Sequence, residues 1–195
     1  MYRCRLYLGT IETRSSGAAI RIHPPGAYLP AQMSVVSFAA LLGHDQTGTG
    51  LAIDGGWTYR IDGSRISGFD VGVYVGEAGG GKIDTIWFWI ASIRGCNTGI
   101  WERQQGVDDH IWNVRVDPNL PGSIGVRMAA LYDRWNLFIG DGPPGGTSRP
   151  IVLDLGATHN VFEVRPVLPD GAIEDHSGND SNVILMATRP PYRAQ

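Results

Sequence analysis

The sequence is poor in cysteine and in long apolar runs, and both shortages limit what the chain can be. Its two cysteines, Cys4 and Cys96, form no C-x-x-C pair and outline no disulfide framework, so we expect two buried free thiols. No stretch reaches the ~18 consecutive apolar residues of a membrane span. The opening residues, MYRCRLYLGTIETR, also lack the apolar core of a signal peptide. We therefore expect a protein without disulfides, a membrane span or an export signal of its own.

Strong charge and amphipathic helices are also missing. The formal net charge is −3, and a balance this close to neutral argues against nucleic acid or an anionic membrane as a partner. No segment shows the apolar spacing of a helix of about ten residues or more, which argues against ankyrin, tetratricopeptide and HEAT repeats. The dense leucine pattern of leucine-rich repeats is absent too. The 195 residues suit one domain with a sizeable core.

Two short motifs recur along the chain at nearly the same interval. The first places an asparagine at the start of a short strand, in WNVRVDP at 112, RWNLFIG at 134, HNVFEVRP at 159 and SNVILMA at 181. The second reads small, apolar, any, apolar, in GLAI at 50, GVYV at 72, GIWE at 99, GVRM at 125, PIVL at 150 and AIED at 172. The shared period is about 25 residues, and self-similarity at such a period predicts a stacked repeat architecture.

The repeats predict an all-β fold, a right-handed parallel β-helix of about six to seven coils. Each unit holds short β-rich pieces broken by Gly, Asp or Pro, and equivalent residues of successive coils would stack at ~4.8 Å. We expect residues 1–16 to form an N-terminal strand or cap, residues 17–187 the solenoid and residues 188–195 a C-terminal tail. The recurring asparagines are predicted to form one buried structural ladder that passes side-chain hydrogen bonds between coils: Asn113, Asn136, Asn160 and Asn182.

The N-[V/L]-x-[V/I/F] and G-[V/I/L]-x-[V/I/M] pieces carry a resemblance to a known superfamily. A further part is the segment at 20–53, where a strand ends in P-P-G-x-Y and the next coil closes with L-x-G. This pattern resembles the pectate-lyase-like parallel β-helix superfamily, which includes bacteriophage tailspike and fibre proteins. The resemblance implies the fold, and its enzymes imply two or three carboxylates on one outward face. The chain lacks the amphipathic capping helix that precedes the first coil in such enzymes.

Several aromatic and basic residues fall at strand positions that would face outward. Tyr74, Trp101 and Arg127 occupy the same place in three successive copies of the second motif, so we expect them on one face. Trp87 and Phe138 follow the asparagine position of the first motif. An aromatic side chain on a solvent-facing strand indicates a partner. Two partners remain open: a neighbouring subunit, which continuing apolar residues favour, and a sugar chain that stacks on the rings.

Candidate catalytic residues are few and scattered. Asp108 and Asp109 sit beside His110 in GVDDHIW, and Glu174 lies beside Asp175 and His176 in AIEDHSG. A solvated loop accounts for each cluster, and adjacent carboxylates on an extended segment point to opposite sides. We therefore leave the enzyme question open, lean against catalysis, and expect no metal and no cofactor.

These observations predict a structural virion protein of a phage, either a tail fibre, a spike or a capsid decoration. We expect a homotrimer that contacts other virion proteins, assembles in the host cytoplasm and binds host surface polysaccharide. The alternatives are a polysaccharide lyase or glycoside hydrolase of the same fold, and a carbohydrate-binding module without catalysis.

Overall fold

The computed structural model describes residues 5–22, 34–76, 83–103, 109–140, 147–166, 168 and 172–186. These residues contain fifteen β-strands and no helix. The strands are β1 (Arg5–Thr13), β2 (Ala18–Ile22), β3 (Ser34–Gly43), β4 (Thr49–Ile53), β5 (Gly56–Ser67), β6 (Val71–Val75), β7 (Ile83–Arg94), β8 (Thr98–Glu102), β9 (Ile111–Asp117), β10 (Ile124–Met128), β11 (Arg134–Ile139), β12 (Arg149–Leu153), β13 (Val161–Arg165), β14 (Ile173–Asp175) and β15 (Val183–Met186). No helix in these parts of the chain is long and apolar enough to cross a membrane.

The strands form two parallel sheets that the chain visits alternately. Sheet A contains the eight odd-numbered strands and sheet B the seven even-numbered strands, each in chain order. Each strand from β1 to β13 therefore pairs with the strand two further along, which is the hydrogen-bonding pattern of a solenoid. The all-β parallel solenoid is confirmed, together with a repeat of about 25 residues per coil. The number of coils approximately matches the expected six to seven.

The core lies between the two sheets and is built from columns of equivalent side chains. In sheet B one such column is in register through five strands and is fully buried: Leu51, Val73, Ile100, Val126 and Ile151. Strand residues alternate between the two faces of a sheet, so the residues between these columns face outward. Cys96 is a buried free thiol in this core, as expected, whereas Cys4 lies outside the described residues.

A stack of aromatic rings fills the core under sheet A. Phe88, Trp112, Trp135 and Phe162 occupy one register position of four successive coils. Their ring centroids are 3.6, 4.6 and 5.5 Å apart, and the planes of neighbouring rings lie within 16° of parallel. All four rings are buried. Trp112 and Trp135, which directly precede Asn113 and Asn136 in the sequence, are therefore packing residues of the core.

Glycine recurs in the second motif because the coils approach closely at that point. A Cβ atom added to Gly50, Gly72, Gly99 or Gly125 would lie 2.5 to 2.6 Å from a backbone oxygen of the next coil. Real Cβ atoms do not tolerate such a distance to backbone. The glycine column is therefore a packing requirement of the solenoid.

A bend recurs in sheet A, near the start of β7 and just before β9, β11 and β13. Thr85, Asp109, Tyr132 and His159 have positive φ values between 48° and 61°, a conformation that side chains rarely adopt. The residue after each bend turns into the core. From the coil of β9 onward this inward position, which we call the bend column, is polar: His110, Asp133, Asn160 and Asn182.

The expected single ladder of four asparagines is corrected by the strand register. Asn136 pairs with Asn113 on one side and with Glu163, not Asn160, on the other. Asn113 and Asn136 therefore face outward from sheet A, where Asn136 Nδ2 donates to Asn113 Oδ1 at 3.3 Å. Asn160 and Asn182 belong to the bend column instead. The reason is that more residues separate Trp135 from Phe162 than separate Trp112 from Trp135. Asn160 therefore lies before Glu163, the residue that pairs with Asn136.

The bend column is itself a ladder of the expected kind, with different members. The backbone N–H of His110 donates to Asp133 Oδ1 at 3.0 Å, and that of Asp133 donates to Asn160 Oδ1 at 2.9 Å. The backbone N–H of Asn160 donates to Asn182 Oδ1 at 3.2 Å. Each side-chain oxygen thus satisfies the buried N–H group of the previous coil, which would otherwise lack a partner.

Candidate functional site

The outer face of sheet A holds a shallow groove of about 420 Å³. We call it the sheet A groove, and its polar and aromatic lining comes from six residues: Trp89, Asn113, Arg115, Asn136, Phe138 and Arg165. These side chains come from β7, β9, β11 and β13, which are neighbours in the sheet. The groove therefore runs across the strands, along the axis of the solenoid.

Strand register explains how these residues meet. Trp89, Asn113, Asn136 and Glu163 form one outward column, because each pairs with the next across neighbouring strands. Arg115, Phe138 and Arg165 form a second outward column two residues further along the strands. Except for Glu163, the residues of these two columns line the groove.

The aromatic rings of the groove are accessible, and arginines flank them. Trp89 is 47% exposed and Phe138 is 36% exposed. The guanidinium carbon of Arg60 lies 6.0 Å from the Trp89 ring, and that of Arg115 lies 5.0 Å from the Phe138 ring. Arg115 Nε also donates to Asp117 Oδ1 at 2.9 Å, which holds its planar group in place. Trp87 lies two residues before Trp89 on the same face and is half-buried.

The outer face of sheet B brings together the three residues that the motif predicted. Tyr74, Trp101 and Arg127 are in register on β6, β8 and β10. The Tyr74 and Trp101 rings meet edge to face at 5.7 Å, and Arg127 lies 5.4 Å from the Trp101 ring. Arg127 Nε donates to Asp154 Oδ2 at 2.7 Å, and this hydrogen bond raises the pKa of the guanidinium. These side chains therefore pack on one another and leave less ring surface free than the sheet A groove does.

The catalytic candidates are not brought together. Asp109 is exposed at the bend that precedes β9, whereas Glu174 lies on β14 in the other sheet. Glu174 Oε2 is 3.6 Å from Arg149 Nη1 and 3.7 Å from His176 Nε2, so it belongs to a surface ion-pair group. Asp108 lies outside the described residues. Asp109 and Glu174 thus form no acid–base pair with each other.

A buried polar cluster that the sequence did not predict lies between the end of β8 and the bends that precede β9 and β11. Glu102, His110 and Asp133 are all fully buried. His110 Nδ1 is 2.5 Å from Glu102 Oε1 and 3.6 Å from Asp133 Oδ1. Burial raises the pKa of Asp133 well above its usual value, and the negative charge of Glu102 adds to that rise. Ionised groups in such a place require close partners.

Two signals in the sequence point to this cluster. Glu102 is the fourth residue of GIWE, a position that is apolar in the preceding copies GLAI and GVYV and in the following copy GVRM. The spacing between Asn113 and Asn136 equals that between His110 and Asp133, so the first motif also aligns the latter two. The sequence thus shows a charged residue at a position that is apolar in neighbouring copies. That Glu102 meets His110 and Asp133 depends on the register of the coils.

Comparison of the chain with protein-family models, curated proteins and solved structures gives no significant match. Similarity therefore assigns no family to the chain.

Proposed function

We propose that the chain is a non-catalytic β-helical protein that binds polysaccharide along the sheet A groove, as a structural component of a phage tail fibre, tailspike or capsid decoration. The observation that carries the proposal is the accessible Trp89 in line with Asn113 and Asn136. The virion setting rests on the resemblance of the repeat motifs to pectate-lyase-like β-helices and phage spikes.

The chemistry of the groove suits a sugar chain. An aromatic ring offers an apolar face to the C–H side of a sugar, and Trp89 and Phe138 both expose such faces. The amides of Asn113 and Asn136 and the guanidinium groups of Arg115 and Arg165 offer hydrogen bonds to hydroxyl and carboxylate groups. Because successive coils repeat at ~4.8 Å along the axis, an extended polymer would meet these groups in sequence. Arg60 and Arg115 are ion-paired with Asp62 and Asp117, so the groove has little net positive charge and suits neutral as well as acidic polysaccharides.

Association with further copies of the chain is part of the proposal. Val183, Leu185 and Met186 on the last described strand, β15, are exposed at 46%, 51% and 39%. Exposed apolar side chains on a strand that ends a sheet support burial against another chain. We propose a homotrimer within the virion, and the mass measured by light scattering of the purified protein tests it. A monomeric mass would contradict the trimer but would leave the proposal of polysaccharide binding at the sheet A groove unaffected.

The binding proposal is tested by titrating a panel of acidic and neutral polysaccharides into wild-type protein and into Trp89→Ala. We expect wild-type protein to bind at least one polymer of the panel and Trp89→Ala to bind it roughly five- to 150-fold more weakly, since stacking on an aromatic ring contributes on the order of 1–3 kcal/mol in other polymer-binding sites. The matched control is Trp101→Ala, which removes an aromatic residue from the outer face of sheet B.

The outcomes separate the rival functions. Equal binding losses in the two variants would contradict a site at the sheet A groove, and no binding to any polymer would contradict the function. If the wild-type protein released shortened or unsaturated products from any polymer, and Asp109→Asn or Glu174→Gln abolished that release, the non-catalytic function would be contradicted. The chain would then be an enzyme.

A further inference from the structure

We propose that Glu102, His110 and Asp133 form a buried site for one divalent transition-metal ion of the zinc type, independent of the sheet A groove. One potential ligand atom from each of the three side chains lies within 4.8 Å of the others. All three residues are fully buried. The site would tie the end of β8 to the bends that precede β9 and β11.

The fold directs these side chains to one point by two independent routes. His110 and Asp133 are neighbours in the bend column, so the stacking of coils sets their separation. Glu102 arrives from sheet B, at the last residue of β8. The backbone N–H of His110 donates to Asp133 Oδ1 at 3.0 Å and fixes the orientation of that carboxylate. Outer hydrogen bonds of this kind orient the ligands in metal sites.

Buried polar atoms point to a missing ligand. Asp133 Oδ2 is buried, and no N–H group donates a hydrogen bond to it. Buried side-chain oxygens and nitrogens nearly always have such a partner. The Asp133 carboxylate also faces that of Glu102, and two buried carboxylates so placed need a proton or a cation between them. A metal ion would occupy the place where both carboxylates converge.

The separations are close to those of a tetrahedral metal site. With metal–ligand distances near 2.0–2.1 Å, two ligand atoms of a tetrahedral zinc ion are roughly 3.3 Å apart. His110 Nδ1 and Asp133 Oδ1 are 3.6 Å apart. His110 Nδ1 and Glu102 Oε1 are 2.5 Å apart, the spacing of two groups that share a proton. A metal ion would replace that proton after Glu102 moved back by less than about 1 Å.

The donor set selects the class of metal. One imidazole nitrogen with two carboxylates suits Zn²⁺ and related transition ions, whereas Ca²⁺ and Mg²⁺ prefer oxygen ligands alone. A dication also matches the charge of two carboxylates and leaves the imidazole neutral, which is the form that ligates metals. Three protein ligands leave the fourth position of a tetrahedral ion for a water molecule, and we expect the ion to stabilise the fold because all three ligands are buried.

The test uses the full chain after chelator treatment. Zn²⁺ alone is titrated by calorimetry, and Co²⁺ is added as a spectroscopic probe. We expect one Zn²⁺ per chain, a higher melting temperature with Zn²⁺, and the visible absorption of tetrahedral Co²⁺. Asp133→Asn should bind Zn²⁺ at least about tenfold more weakly, because it replaces a charged ligand by a neutral one of the same shape.

The matched control is Glu174→Gln combined with His176→Asn, which removes the same residue types from a surface ion-pair group. It should bind Zn²⁺ as wild-type protein does. A folded wild-type protein that binds neither Zn²⁺ nor Co²⁺ would overturn the proposal and leave a cluster held by protons. Unchanged Zn²⁺ binding by Asp133→Asn, or binding of Ca²⁺ in preference to Zn²⁺, would overturn it as well. Should Asp133→Asn fail to fold, the Zn²⁺ stoichiometry and Co²⁺ spectrum of wild-type protein decide alone.

Discussion

Replacing Asn160 by leucine should destabilise the protein far more than the same replacement at Asn136. Both asparagines belong to copies of the first motif, NLFI and NVFE, yet Asn160 is fully buried and Asn136 is exposed. The pair therefore tests whether the bend column, and not the motif, carries the structural role of asparagine in this chain.

The magnitude follows from the hydrogen bonds that Asn160 makes. Its Oδ1 accepts from the backbone N–H of Asp133 at 2.9 Å, and its Nδ2 donates to Ala130 O and to Asn182 Oδ1, each at 2.9 Å. Leucine would strand the buried Asp133 N–H, at a cost of about 1–3 kcal/mol. Ala130 O keeps a bond from the N–H of Thr158, and Asn182 Oδ1 keeps one from the backbone of residue 160. The two lost bonds add on the order of 1 kcal/mol in total.

We therefore expect Asn160→Leu to lower the free energy of unfolding by about 2–4 kcal/mol, which for a chain of this size corresponds to roughly 5–15 °C in melting temperature. Asn136→Leu breaks one exposed bond of 3.3 Å to Asn113 and should change stability by about 0.5 kcal/mol or less. Urea unfolding followed by circular dichroism measures both. Equal losses in the two variants, or the larger loss at Asn136, would refute the register on which the bend column rests.

Two further predictions concern packing and the buried thiol. Gly99→Ala should lower the free energy of unfolding by about 1–3 kcal/mol, because its Cβ would meet Gly125 O at 2.6 Å. The control Gly9→Ala should lower it far less, because nothing lies within 4 Å of the added Cβ. Equal melting temperatures would refute the close approach of coils. Burial raises the pKa of the Cys96 thiol to about 11, so in a Cys4→Ser background it should resist thiol reagents at pH 8 until the chain unfolds, and rapid reaction in the native state would contradict its burial. Because the folded pKa exceeds the unfolded value of about 8.5, this thiol should make unfolding easier as pH rises from about 8.5 towards 11, which unfolding midpoints in that pH range would show.

The polar bend column also has a consequence for how the coils differ from one another. The coil of β7 places the apolar Ile86 at the inward position after its bend, whereas the following coils place His110, Asp133 and Asn160 there. The polar members support the backbone of the previous coil, and two of them face Glu102. Structural support and the proposed metal site therefore share residues, so metal removal should weaken this corner of the solenoid before the apolar coils.

The sequence by itself determined the fold class and one outward face. The second motif repeats glycine and alternating apolar residues because coils pack closely there and one face of each strand is buried. Its phase is constant from coil to coil, so Tyr74, Trp101 and Arg127 could be aligned correctly without coordinates. The small residue and the alternating apolar residues recur in each copy of the second motif, so the repeats alone predict the fold class.

Only the tertiary structure decided the register of the first motif and the sites that depend on it. Successive coils differ in length, and the sequence leaves open which bend holds the extra residues. The motif therefore aligns Asn160 with Asn136, whereas in the structure Asn160 stacks on Asp133. The meeting of Glu102 with His110 crosses from one sheet to the other, and no spacing in the sequence encodes that distance. Such contacts follow from how complete coils stack, and stacking is a property of the whole solenoid.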